Sequence, residues 1–163
     1  MFYLDLFSAL ARHQVGYVLI GGLAVSLHGI ERATMDVDIS VATTPQNLVA
    51  LIDTARELSL TPVLPVPLEA LGDLEQLTNW HAKRNLESFA LRAPGMAGVT
   101  IDVLLFPPVD FPVLASHAVV LTVGNVPVHV ASIDDLIALK QAVGRPIDLS
   151  DIEHLKRLKE LGQ

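Results

Sequence analysis

The 163-residue sequence predicts an α+β protein, a mixed and mostly antiparallel sheet flanked by helices. Three observations carry that expectation. Apolar residues recur at helical spacing at both ends of the chain. Two pairs of β-rich runs are joined by Pro94-Gly95 and Gly124-Asn125 and read as hairpins. A strand, a glycine pair and a short helix follow one another from Tyr17 to His28. With 51% hydrophobic and 18% charged residues, the composition is that of a packed globular protein and excludes a disordered chain. A chain of this length buries roughly 70% of its unfolded surface, so one domain over 1–163 is expected, with C-terminal helices over 132–161 packed on it.

Phe2, Leu6 and Leu10 open the chain as an amphipathic helix that stops near Gly16. Tyr17 to Ile20 reads as a short buried strand, and Leu23 to His28 as a helix of one or two turns closed by Gly29. From Met35 to Ala42 apolar and polar residues alternate, which predicts a half-buried strand with Asp36, Asp38 and Ser40 on one face. Thr44-Pro45 starts a helix whose stripe is Leu48, Leu51, Ile52, Ala55 and Leu58. Leu60 to Pro67 holds three prolines and reads as an extended connection, followed by a short helix over Leu68 to Leu77 that Gly72 weakens. Leu86 to Arg92 with Gly98 to Phe106, and Val119 to Val123 with Val126 to Val130, are the two hairpins. Ser132 caps a helix that stops at Gly144, and a last helix begins around Leu149 to Asp151.

Eleven Lys and Arg against eighteen Asp and Glu give a net charge of −7, the wrong sign for gripping nucleic acid through bulk electrostatics. Any such contact must be local, at His81 to Arg84 or Lys156 to Lys159, and both clusters also suit solvated helix ends. Trp80 beside the first cluster suits either a stacking platform or a packed loop anchor. The longest weakly polar stretch, Tyr17 to Ser26, contains two glycines and falls short of the ~18 apolar residues of a membrane span. Met1 to Leu10 carries Asp5 and no basic residue, unlike an export signal, so a cytoplasmic location is expected. The absence of cysteine excludes thiolate zinc sites and thiol nucleophiles, and the six histidines show no metal-ligand spacing on a helix.

The chemistry concentrates in three acids and a glycine pair. Asp36 and Asp38 sit two apart on a strand, so period-two geometry points both carboxylates the same way, and their repulsion calls for a counter-charge. A hard divalent cation such as Mg²⁺ meets that need through oxygen ligands. Asp102 interrupts the otherwise apolar run Val99 to Leu105, where a lone carboxylate is costly unless it joins the other two. Gly21-Gly22, between strand and helix, lets a phosphate approach the backbone. It is neither a P-loop nor a dinucleotide fingerprint, because no Lys-Ser/Thr and no third glycine follow.

In this order, Gly21-Gly22, a short helix, Arg32-x-Thr34-x-Asp36-x-Asp38 and a later Asp102 resemble the minimal nucleotidyltransferases, whose fold is polymerase-beta-like. The likeness runs from about Tyr17 to Leu158 and is nearest to the AbiEii/AbiGii-type branch, which includes toxins of toxin-antitoxin systems. That branch also has a late Lys, a Gly-Arg and spaced acids, here Lys140, Gly144-Arg145, Asp148 and Asp151. The resemblance implies an enzyme that moves a nucleoside monophosphate from an NTP to a hydroxyl, at an RNA 3′ end or on a protein, with an antitoxin protein as a further partner. It implies two Mg²⁺ ions, or Mn²⁺ in their place, on Asp36, Asp38 and Asp102, the catalytic acids. It also implies nucleotide contacts from Gly21, Gly22, Arg32, Thr34 and Lys140, the last with its ammonium aimed at the acids.

One departure is Gly22, where many members have Ser. Small antibiotics are acceptors within this fold too, but an enzyme acting on them is expected to carry a larger partner domain than this chain has room for. The alternative reading is a non-catalytic nucleotide-binding or partner-binding module of a toxin-antitoxin pair.

Overall fold

The computed structural model describes residues 2–95 and 99–162. The chain runs α1 (Phe2–Arg12), β1 (Tyr17–Ile20), α2 (Gly21–Leu27), β2 (Val37–Val41), α3 (Pro45–Glu57) and β3 (Thr61–Pro62). A 3-10 turn over Leu68–Gly72 leads to α4 (Leu74–Arg84), β4 (Ser88–Arg92), β5 (Thr100–Leu104) and α5 (Phe111–His117). The hairpin β6 (Val119–Val123) and β7 (Val126–Val130) then precedes α6 (Ile133–Val143) and α7 (Pro146–Glu160). One sheet holds the strands in the order β3-β4-β5-β2-β1-β7-β6. Only the β2–β5 and β1–β7 contacts are parallel, so the sheet is mixed and mostly antiparallel, as the hairpins predict.

The centre of the sheet is its most apolar part. All four residues of β1 are buried, as are Val37, Ile39 and Val41 of β2 and Ile101 and Val103 of β5. β1 and β2 therefore read as a continuous core, with α2 packed on both and α1 lying against β7 and α3. Asn47 ties this centre to α3: its side chain accepts from the Gly16 amide at 2.6 Å and donates to the carbonyls of Gly16 and Ala42 at 3.0 and 2.7 Å. Three backbone groups of the two strand ends are thus satisfied by one side chain.

Several boundaries differ from the sequence reading, each for a local reason. β2 is not half-buried, because Ser40 on its polar face is as inaccessible as the valines on the other. The extended connection after α3 contains β3, which pairs with the end of β4 through Thr61 and Pro62 at the sheet edge, where proline is tolerated. The expected helix over 68–77 is two elements. Gly72 ends a 3-10 turn pressed on Ile52, and Asp73 then caps α4 by accepting from the Gln76 amide at 3.1 Å, so the α-helix continues to Arg84.

α5 went unread between Pro107 and Ala118 because seven residues give too few turns for a periodic stripe. α7 starts at Pro146, earlier than Leu149, since proline suits the first helical position and Asp148 accepts from the Arg145 amide at 3.1 Å. α2 likewise starts at Gly21 rather than Leu23. Both basic clusters fall in the last turns of helices, α4 and α7. The expected strand start at Gly98 lies outside the described residues, as does Met1. Among the described residues no helix is long and apolar enough to cross a membrane.

Ser40 generates a prediction. Among the described residues its buried hydroxyl on β2 has no hydrogen-bond partner, and such a group carries a desolvation penalty with no return. Ser40→Ala is expected to raise unfolding free energy by up to about 1 kcal/mol, read as a higher urea midpoint at unchanged slope. A loss of stability would mean that the hydroxyl has a partner, such as an ordered water.

Candidate active site

The register of β2 on β5 sets Asp38 beside Asp102, and Asp36 stands just before β2. In the parallel ladder Val37 faces Ile101 and Asp38 faces Asp102, so two carboxylates stand on adjacent strands roughly 4.8 Å apart at the backbone. The strand starts at Val37 rather than Met35, so Asp36 lies one residue before it, exposed, and its carboxylate accepts from the Thr100 hydroxyl at 3.0 Å. Thr100 precedes Asp102 by the same two residues that separate Asp36 from Asp38. The sequence reading missed it, although period two places it on the face of Asp102.

Crowding sets the protonation of this group. Burial and the neighbouring Asp102 and Asp36 charges push the Asp38 carboxyl up to about 7, against a smaller pull down from the Lys140 ammonium. Burial raises Asp102 too, while its hydrogen bond with Asp38 works the other way. The two carboxyls crowd each other, and their titration belongs to the pair rather than to either residue. The donor set, three carboxylates and a hydroxyl, is all oxygen and suits a hard divalent cation, which would relieve the repulsion between the acids. Among the described residues no three acidic or imidazole side chains already converge as an ion site, consistent with Asp36 being turned toward Thr100 and Asp38 toward Asp102.

The two glycines are where they are because side chains occupy the space of their missing Cβ atoms. At Gly21, which has φ +73°, a Cβ would lie 2.1 Å from Asp38 Oδ2; at Gly22 it would lie 1.8 Å from Arg32 Nη1 and 3.3 Å from Thr34 Oγ1. The backbone of the β1–α2 turn thus touches the acid on one side and a guanidinium on the other. Ser26 of α2 holds the approach by donating to the Arg32 carbonyl at 3.0 Å, and the Thr34 hydroxyl donates to the Asp36 carbonyl at 3.3 Å.

Lys140 departs from its expected aim. Its buried ammonium pairs with Asp151 at 2.9 Å and Asp148 at 3.5 Å, both on α7, rather than with the strand acids. Asp148 also takes the Arg145 guanidinium at 2.7 Å, which holds its carboxyl below the usual range, and Asp151 takes Arg32 Nε at 3.1 Å. Both acids lie in the first turns of α7 and share Lys140. They anchor three cations beside the sheet acids.

Next to Asp38, a cavity of about 190 Å³ opens between the sheet and α6. Its walls are mainly Leu104, Pro108, Leu136, Leu139 and Val143, with Lys140 and Arg145 at the charged end. Trp80 is not part of this place. It lines a separate cavity with Val66 and Leu86, His81 stacks on Phe106 with ring centroids 4.3 Å apart, and Lys83 and Arg84 are exposed in the last turn of α4.

Solved structures share this arrangement of strands and helices. The fold is that of the nucleotidyltransferases. The lincosamide antibiotic adenylyltransferase LnuA, in its lincomycin-bound crystal structure, superposes with a TM-score of 0.60 at 15% identity over 96% of this chain and 94% of its own. ANT(2″)-Ia in complex with adenylyl-2″-tobramycin gives 0.58 at 11% identity over 98% and 94%. A nucleotidyltransferase candidate from Thermotoga maritima gives 0.52 at 15% identity over 96% and 87%. No family model matches the sequence, and no curated protein matches it. This chain and LnuA cover one another almost completely.

The acid crowding makes a pH prediction for the ion-free protein. A carboxyl raised in the folded state stabilises the fold below its unfolded value near 3.8, and that contribution is lost as pH rises through about 7. The stability difference between wild type and Asp38→Asn, measured by chemical unfolding in chelator, is expected to shift in favour of the variant across this window. Saturating Mg²⁺ should abolish the shift. A difference that stays flat from pH 4 to 8 would show that Asp38 is not crowded.

Proposed function

We propose that the chain is a Mg²⁺-dependent nucleotidyltransferase that moves a nucleoside monophosphate from an NTP to a hydroxyl. The observation that supports this best is the register that puts Asp102 directly beside Asp38, with Asp36 just before β2 and the Gly21 backbone against the Asp38 carboxylate. Asp36, Asp38 and Asp102 would hold the cation, in our reading two ions, with Mn²⁺ as a substitute. Divalent ions at such sites neutralise phosphate charge and lower the pKa of an attacking hydroxyl.

The protein's own groups do the rest. The backbone of Gly21 and Gly22 gives the phosphates a place to approach, and Arg32, with Thr34 beside it, supplies donors there. Lys140 contributes its positive field from behind, since its ammonium is committed to α7. Asp102 is positioned to accept the acceptor's proton once the pair it forms with Asp38 is ionised.

The motif order supports an RNA 3′ end or a protein as acceptor, and a toxin of a toxin-antitoxin system as the biological setting. A second reading is favoured by a specific observation. The cavity beside Asp38 is walled by aliphatic side chains and the chain matches LnuA end to end, which supports a small hydroxyl compound with an apolar part.

The test incubates the protein with each α-labelled NTP, Mg²⁺ or Mn²⁺, and in separate reactions cellular RNA, cellular protein and a panel including lincomycin and tobramycin. Label is expected in one acceptor class, reduced on the order of a thousandfold or more in Asp36→Ala/Asp38→Ala. Equal labelling by the double variant overturns the assignment of the acids. NTP binding with no pyrophosphate release in any reaction replaces the enzyme by a nucleotide-binding module.

A further inference from the structure

Arg32 is held in an unusual way. Its Nε donates to Asp151 at 3.1 Å, and Asp151 is itself 3% exposed and clamped by Lys140 at 2.9 Å. The guanidinium then lies across the bare Cα of Gly22, so close that a Cβ there would sit 1.8 Å from Nη1 and 2.9 Å from Cζ. Among the described residues neither Nη group donates to another protein atom, although the side chain is only 19% exposed. One edge of a planar, five-donor group is spent on fixing its orientation, and the other is left open beside the glycine turn. Asp151 also keeps a buried oxygen to which no donor is well aimed, although Lys140 and Arg32 both stand within ion-pair distance of it. The carboxylate is therefore placed for aiming the cation rather than for its own best hydrogen bonding.

We propose that Asp151 is a positioning residue, holding the Arg32 guanidinium over Gly22 so that its two free Nη groups form the fork that receives the phosphates of the donor nucleotide. Gly22 is glycine because that guanidinium fills the space of its side chain. The inference rests on the nucleotide-transfer reading, which supplies the polyphosphate. It goes beyond that reading in making a residue of α7 set phosphate affinity through a side chain 119 positions earlier.

Gly22→Ser separates aim from fold. Gly22 has no left-handed backbone requirement, and the atom that a new Cβ meets is the tip of a flexible side chain, so the chain can fold with Arg32 pushed aside. Binding is read with Mg²⁺ tripolyphosphate, which lacks a base, and with the four NTPs. Gly22→Ser is expected to weaken tripolyphosphate binding on the order of tenfold, as loss of a charge-assisted contact does. In an Arg32→Ala background the same serine should cost nothing further, because the space is already empty. Asp151→Asn should raise KM for NTP far more than it lowers kcat, with its folding midpoint measured separately.

A ligand-free readout accompanies these. The Arg32 Nε–H resonance, assigned by its disappearance in Arg32→Ala, should be protected from exchange in the wild type and lose that protection in both Gly22→Ser and Asp151→Asn. An unmoved resonance in Gly22→Ser, or multiplicative losses in the double variant, overturns the proposal while leaving nucleotide transfer standing. A wild-type protein that binds neither tripolyphosphate nor any NTP overturns both.

Discussion

Like charges forced together inside a sheet are the constraint around which this molecule is organised. β2 and β5 are apolar strands, and a carboxylate on either one is expensive to bury alone. Setting Asp38 against Asp102 does not remove that cost; it adds repulsion to burial and leaves a strong appetite for positive charge. The surroundings follow from it. Gly21 must lack a side chain because the Asp38 carboxylate occupies that space, Thr100 must offer a hydroxyl to Asp36, and cations must stand near without saturating the acids.

The helical hairpin of α6 and α7 answers that demand at one remove. Arg32, Lys140 and Arg145 are three positive groups, and Asp148 and Asp151 are two negative ones that hold them. Burying such a cluster gains little net stability, since desolvation offsets most of the Coulomb attraction. It does fix where the cations point. The contrast between two aspartates shows how far environment decides: neighbouring carboxylates and burial push Asp38 up, while the Arg145 hydrogen bond holds Asp148 down.

Much of this was legible in the sequence, for identifiable reasons. Alternation marked Asp38 on a strand, although β2 begins after Asp36, and the solitary acid in Val99 to Leu105 announced a second strand with a reason to meet it. β1 and the Gly124-Asn125 hairpin were readable because their signals are local. The acceptance of Lys140 by Asp151 was not, because nothing in a one-dimensional pattern says which of several nearby acids a buried ammonium will choose. Nor was the contact of Arg32 with Gly22, since a glycine kept empty for another residue's side chain looks the same as one kept for a turn. α5 and β3 were missed for a simpler reason, being too short for periodicity to register.

The sheet order also bears on how the molecule comes into being. Its two parallel contacts join segments distant along the chain, Val37 to Ser40 with Ile101 to Leu104 and Leu19 with Val130, and such pairings form slowly because long loops must close first. During synthesis Asp36 and Asp38 leave the ribosome well before their partner on β5. A nascent chain therefore carries no assembled centre. The acid pair exists only once β5 has docked beside β2, so a chain cut short before Asp102 lacks half of it.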